Sequence, residues 1–163
     1  MRFRKILGII LALALLTGCK AQPDQSGFLW QISLLQAELT DDLYNTQTFV
    51  RYDGSKEDVD FRQSPSAGCR FLLLELRIAK SDVGKGKFSW KDLYVEDPQG
   101  NRYFRMENDS FLADYEIPRL KATELVTGSA EGFLCVEVPE DLELKDLQLV
   151  HEAAEGRNVL PVS

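Results

Sequence analysis

The sequence contains a single histidine, His151, and only three cysteines, none of them spaced as Cys-x-x-Cys. Catalysis of the Ser-His-Asp or Cys-His type needs a base beside a nucleophile, and thiol redox enzymes use a Cys-x-x-Cys pair. No nucleophile adjoins His151 in the sequence. We therefore expect His151 to cap a strand rather than to catalyse, and we expect the chain not to be an enzyme.

The sequence also lacks the spacing of a calcium-binding loop, D-x-[DN]-x-[DN]-G. Its acidic residues are densest in residues 53–60 and 107–116, where they are irregularly spaced. Acidic surface loops of this kind are usually only solvated. The sequence therefore predicts no metal site and no cofactor.

An excess of positive charge is missing as well. The chain has 19 basic and 26 acidic residues, a net charge of −7. Nucleic acids and other polyanions are bound by basic surfaces. We therefore expect no nucleic acid among the partners of this chain.

The longest apolar run, Ile6 to Leu16, is too short for a membrane-spanning helix, which needs about 20 residues. It is preceded by Arg2, Arg4 and Lys5, and this order of a positive segment and a short apolar segment is typical of a secretory signal. Removing the signal would leave the mature chain with a net charge of −10, because three basic residues are lost.

The four residues that close this run, Leu16, Thr17, Gly18 and Cys19, resemble the bacterial lipobox position by position. The resemblance implies cleavage before Cys19 and a diacylglyceryl group on its sulfur. We therefore expect a signal peptide over residues 1–18, a lipidated tether over residues 19–27, and a domain over residues 28–163. The protein would be anchored by lipid to the cell membrane, on its extracytoplasmic face.

The domain begins with apolar side chains that alternate from Phe28 to Leu34 and continue in the opposite phase from Leu35 to Leu39. A slip of one residue is what a β-bulge produces in a strand. A helix with apolar residues three or four apart is the alternative interpretation of this stretch.

Further strands are predicted along the rest of the chain. They cover residues 48–52 and 59–61 as a hairpin around Asp53-Gly54, and then 70–80, 88–95, 101–106, 123–126, 133–138, 147–151 and 159–162. Short strands at this spacing, without a long helix, predict an all-β fold of the β-sandwich type. The predicted core residues are Trp30, Ile32, Leu72, Leu74, Leu76, Ile78, Leu93, Val95, Leu134, Val136, Val138, Leu147 and Leu149.

Four segments carry a family resemblance: FLLLELRIAK at 71–80, DLYVEDPQGNRYF at 92–104, GSAEGFLCVEVPE at 128–140 and DLQLV at 146–150. Together they resemble a family of bacterial immunoglobulin-like lipoprotein domains of unknown function, in the immunoprotective extracellular protein superfamily. The sequence departs from that pattern at Lys80-Ser81-Asp82 and at Cys135. The resemblance implies a sandwich displayed outside the cell and no enzymatic activity.

Cys69 and Cys135 could form a disulfide in an oxidising compartment. Both fall on the outward side of their predicted strands, so a bond would require the two strands to be neighbours in one sheet. Free thiols or intermolecular pairing are the alternatives.

The sequence favours a non-catalytic binding module that recognises a protein, a peptide or an envelope component. A structural envelope or stress lipoprotein without a small-molecule ligand is the alternative. The predicted partner contact is formed by Phe111, Leu112 and Tyr115, because these apolar side chains lie in an acidic loop. They could instead fold back and close one end of the domain.

Overall fold

The computed structural model describes residues 23–82, 85–120 and 128–162. In these residues about 53% of the chain is β-strand and only about 9% is helix, which confirms the all-β prediction. The strands are β1 Trp30–Thr40, β2 Leu43–Val50, β3 Lys56–Gln63, β4 Cys69–Lys80, β5 Leu93–Glu96, β6 Arg102–Tyr103, β7 Ser129–Pro139, β8 Gln148–Ala153 and β9 Gly156–Pro161. Short 3₁₀ helices occupy Trp90–Asp92, Ser110–Tyr115 and Leu144–Asp146.

The strands form three antiparallel sheets with the orders β1-β4-β7, β2-β3 and β6-β5-β8-β9. Within the first sheet, Leu34 pairs with Leu76 and Gln36 pairs with Glu75, so Leu35 is left without a partner. The predicted bulge is therefore confirmed, and the helical alternative for this stretch is wrong.

The main hydrophobic core lies between the three-stranded and the four-stranded sheet. Strand β4 contributes the alternate residues Leu72, Leu74, Leu76 and Ile78, each of them fully buried, because successive side chains of a strand point to opposite faces. Every predicted core residue belongs to this cluster.

The opposite face of β4, which the sequence predicted to point outward, is also buried at one end. Phe71 and Leu73 form a second hydrophobic cluster with Leu43, Leu112 and Cys135. This second cluster covers the outer side of the three-stranded sheet. The same face becomes solvent-exposed farther along, at Arg77.

A tight turn joins β5 to β6. Gly100 has a φ of +83°, and its N–H donates to the carbonyl of Asp97 at 3.0 Å. The Asp97 side chain also accepts hydrogen bonds from the Asn101 backbone and from the Tyr103 hydroxyl. The flanking strands are shorter than predicted, and the strand predicted at 123–126 lies outside the described residues.

Candidate interaction surface

Strands β2 and β3 continue the pair formed by β1 and β4. Thr40 at the end of β1 pairs with Phe71, and Leu43 at the start of β2 pairs with Gln63. Residues 41–42 join β1 to β2, and residues 64–68 join β3 to β4. Because these two connections differ in length, the hydrogen-bond ladder is interrupted between the pair β1-β4 and the pair β2-β3. Residues 43–63 therefore leave the three-stranded sheet as a separate two-stranded arm.

The base of the arm is held on the 3₁₀ helix Ser110–Tyr115. The side-chain amides of Asn45 and Gln47 both donate to the backbone carbonyl of Asp114, each at 2.7 Å. Leu43 is buried in the second cluster. Between Thr48 and Asp60, every hydrogen bond that the structure shows for the arm lies within the arm itself.

The tip of the arm is a well-defined turn. The Arg51 N–H donates to the Ser55 carbonyl at 2.8 Å, and Gly54 takes a φ of +83° that favours glycine. The Asp53 carboxylate accepts hydrogen bonds from the Ser55 hydroxyl and N–H, and these bonds lower the pKa of Asp53. The turn is therefore fixed by its own contacts, and Tyr52 projects from it fully exposed.

The two faces of the arm differ in chemistry. One face is ordered by polar cross-strand bonds between its ends, at which Tyr44 and Val50 lie: the hydroxyl of Thr46 donates to Asp60 at 2.7 Å, and that of Thr48 donates to Asp58 at 2.6 Å. The other face carries an aromatic pair, Phe49 and Phe61, whose ring centroids are 6.3 Å apart. Only the part of this second face near the base is covered by the 3₁₀ helix.

Exposed apolar side chains are concentrated on the arm. The described residues contain six exposed large hydrophobic side chains, and four of them lie between residues 44 and 52: Tyr44, Phe49, Val50 and Tyr52. The other two, Leu35 and Phe104, lie outside the arm. Three of the four, Phe49, Val50 and Tyr52, lie at the end of the hairpin away from the body, so the arm is the candidate interaction surface.

The predicted contact residues Phe111, Leu112 and Tyr115 do not form an exposed patch, and this part of the prediction is corrected. Leu112 has no exposed surface, and Phe111 packs on Phe71 with their rings 5.9 Å apart. Tyr115 is half-buried against the same cluster. Phe71 and Leu73 are apolar and point to the outer face of the three-stranded sheet. Phe111, Leu112 and Tyr115 pack on them and remove them from water.

A buried ion pair fixes the approach to this 3₁₀ helix. The Arg105 guanidinium contacts the Asp109 carboxylate at 2.5 Å and stacks over the Trp90 ring at 4.3 Å. Arg119 reaches the same carboxylate at 3.5 Å. Because Asp109 directly precedes the helix, these contacts position Leu112 over the sheet.

Cys69 and Cys135 are free thiols in the structure. Their strands are neighbours, as a bond would require, but Cys69 pairs with Pro139 and Cys135 pairs with Leu73. Cys69 is therefore four residues away, along β4, from the residue that pairs with Cys135, and this corresponds to about 13 Å at the rise of a strand. Disulfide geometry needs Cα atoms within about 7 Å, so the considered disulfide is not formed here.

His151 lies inside β8, so the prediction that it caps a strand is wrong. Its ring is buried, with centroids 5.7 Å from those of Phe28 and Phe88. This burial lowers the pKa of His151, against the opposing effect of Asp92 and Glu155. The residue is part of the packing at one end of the core.

Cys19, the expected lipid attachment site, lies outside the described residues. No helix within residues 23–82, 85–120 and 128–162 has the length and hydrophobicity that a membrane crossing requires. In the same residues, no group of three or more histidine, cysteine or acidic side chains is arranged to hold a metal ion.

Sequence reasoning predicted the hairpin but not its role. The available signal was the placement of Tyr44, Phe49, Val50 and Tyr52 in a stretch that is otherwise polar.

Comparisons with protein-family models, with curated proteins and with solved structures found no match for this chain.

Proposed function

We propose that this chain is a lipid-anchored, extracytoplasmic binding module. Its body would be an immunoglobulin-like β-sandwich, and the arm would be the surface that contacts a protein partner. Membrane attachment would come from lipid on Cys19. The module has no catalytic role in this proposal.

The observation that carries the proposal is the tip of the arm. Tyr52 is fully exposed on a turn whose backbone is fixed by internal hydrogen bonds, and Val50, two residues earlier, is 67% exposed. A tyrosine held on a rigid turn offers a large contact area at a small cost in conformational entropy. Tyrosine is also one of the residues that most often dominate binding energy at interfaces.

The position of the arm also suits an anchored module. Gln25 is bonded to Ile32 near the start of β1, whereas the arm leaves from Thr40 at the other end of that strand. The eight residues from Ile32 to Thr40 cover about 26 Å. A tether that ends at Cys19 would therefore hold one end of β1 and leave the arm at the other.

The proposal is tested by cross-linking and capture on whole cells with the full chain and its Tyr52→Ala variant. The matched control is Phe104→Ala, which removes an exposed aromatic side chain outside the arm. We expect the wild type and Phe104→Ala to capture the same partner and Tyr52→Ala to lose it. A Cys19→Ala variant tested in parallel shows whether membrane attachment is needed for capture.

Equal capture by the wild type and Tyr52→Ala would overturn the arm as the contact surface. If no partner is captured by any form, the alternative of a structural envelope lipoprotein is favoured instead.

A further inference from the structure

The two strands of the arm differ in charge. Strand β2, Leu43–Val50, has no charged residue, no proline and no bulge along its eight residues. Strand β3, Lys56–Gln63, has five charged residues among eight. Charged side chains, proline and bulges are the usual means by which proteins protect an edge strand from pairing with another chain. Strand β2 is therefore an unprotected edge and β3 is a protected one.

The outer edge of β2 is also unoccupied by backbone hydrogen bonds in the described residues. The sheet formed by β2 and β3 has two strands, and no backbone hydrogen bond joins β2 to residues outside the arm in 23–82, 85–120 or 128–162. An isolated two-stranded ribbon is only marginally stable in water, and further strands stabilise it. A further strand could therefore pair with the backbone along the free edge of β2 and stabilise the arm.

The charge of the chain restricts the places where two copies can meet. The chain carries a net charge of −7, so two copies repel each other over most of their surfaces. The edge of β2 is an uncharged stretch along which two acidic copies can approach. We propose that two copies pair through β2 in antiparallel orientation and form a four-stranded sheet in the order β3-β2-β2-β3.

The exposed side chains select the register of this pairing. When the two-fold axis passes through Gln47, Tyr44 of each copy lies directly opposite Val50 of the other. Both residues are on the same face of β2 and are 62% and 67% exposed in the single chain. Directly opposed aromatic and β-branched side chains stabilise antiparallel pairs. In the same register, Thr46 of one copy lies opposite Thr48 of the other.

This inference deepens the proposed function, because it names a second copy as one partner of the arm. It rests on that proposal only in treating the arm as a contact surface. Tyr52 lies in the turn beyond the end of β2, and the pairing is tested by substitutions of Thr46 and Thr48, so the two tests use different residues and different measurements.

The first test is sedimentation equilibrium of the full chain purified in detergent, compared with Thr46→Lys/Thr48→Lys. Within one arm the new lysines lie opposite Asp60 and Asp58, so the hairpin keeps favourable cross-strand pairs. Across the seam they would lie opposite each other. We expect a concentration-dependent dimer for the wild type, with a dissociation constant at least about tenfold higher in the variant.

The matched control is Gln99→Lys/Gln148→Lys, which makes the same change in charge at exposed positions outside the arm. This control should dimerise like the wild type. A wild type that is monomeric at every concentration, or a Thr46→Lys/Thr48→Lys variant that dimerises equally well, would overturn the proposal.

The second test determines the register with disulfide cross-links in a Cys19→Ala/Cys69→Ser background. Tyr44→Cys and Val50→Cys are prepared as separate proteins and oxidised alone or mixed. We expect a covalent dimer only in the mixture, because residue 44 of one copy faces residue 50 of the other. Cross-linking of either variant alone at the same yield would contradict this register.

The two proposals fail in different ways. A monomeric chain whose capture of a partner still depends on Tyr52 would overturn the dimer and leave the proposed function intact. A dimer that captures no other protein would support the pairing through β2 and remove the support for a separate partner at the tip.

Discussion

The side-chain amide of Gln25 is paired with the backbone of Ile32, donating to its carbonyl and accepting from its N–H, both at 2.7 Å. Gln25 is buried, and Ile32 lies in β1 at an edge of the three-stranded sheet. The amide therefore takes the place of a neighbouring strand at this point. It also fixes the start of the described chain to the body of the domain.

Replacing Gln25 by alanine leaves a buried N–H and a buried carbonyl of Ile32 without partners. Each unsatisfied group costs about 1–3 kcal/mol, so we expect the free energy of unfolding to fall by about 2 kcal/mol or more. Urea denaturation followed by tryptophan fluorescence measures the change, since Trp30 is close by in sequence and buried. Gln31→Ala, at an exposed position of the same strand, is the control and should change stability by less than about 0.5 kcal/mol. Equal effects of the two substitutions would contradict this role for Gln25.

Leu112 stabilises the fold because its side chain is buried in the second cluster. Leu112→Ala removes a side chain with no exposed surface, and such truncations cost about 2–5 kcal/mol. Tyr52→Ala is the control, because its side chain is fully exposed and should contribute less than about 0.5 kcal/mol. Thermal unfolding of the two variants beside the wild type gives the comparison. If Leu112→Ala unfolded like the wild type, the cover over the outer face of the sheet would be loose in solution.

The main core could be predicted from sequence because the alternation of apolar side chains that defines it is visible within single strands. In β4, the alternation from Leu72 to Ile78 assigns both the strand and its inner face without reference to the rest of the chain. The bulge at Leu35 was predictable for the same reason, since a change of phase is visible within ten residues.

The second cluster was not predictable in this way because its members are distant in sequence. Phe71 on the outer face of β4 is covered by Leu112, forty-one positions later in the chain, and no periodic pattern connects the two. The contact prediction failed at this point: an apolar group in an acidic loop has the same composition whether it faces a partner or its own sheet. The arm was missed as a surface because the hairpin pattern does not indicate that the hairpin leaves the sheet after Thr40.

His151 makes stability dependent on pH. Burial lowers its pKa in the folded state below the ordinary value of 6.5, so the unfolded chain binds the proton first as the pH falls. The contribution of neutral His151 to stability is therefore fully present above the unfolded pKa. It is lost as the pH falls below 6.5, and the loss levels off below the folded pKa. Urea denaturation of the wild type and His151→Gln between about pH 7.5 and pH 4.5 measures this dependence.

The difference between these two proteins isolates the histidine, because the carboxylates titrate in both. We expect the wild type to lose stability relative to His151→Gln as the medium becomes more acidic. A difference that stays constant over the whole range would show that the folded state leaves the pKa of His151 unchanged.

The two cysteines of the domain should differ in reactivity, because Cys135 is fully buried in the second cluster whereas Cys69 is half-buried at the start of β4. Burial, together with the nearby Glu137 and Asp109, raises the pKa of the Cys135 thiol to about 12, so almost none of it is thiolate at pH 8. In a Cys19→Ala background, we expect a thiol reagent to label Cys69 in the folded protein and both cysteines after denaturation. Adding Cys69→Ser should abolish labelling of the folded form alone. An oxidised pair would instead leave no reactive thiol even in denaturant, and that result would contradict the register that separates the two cysteines.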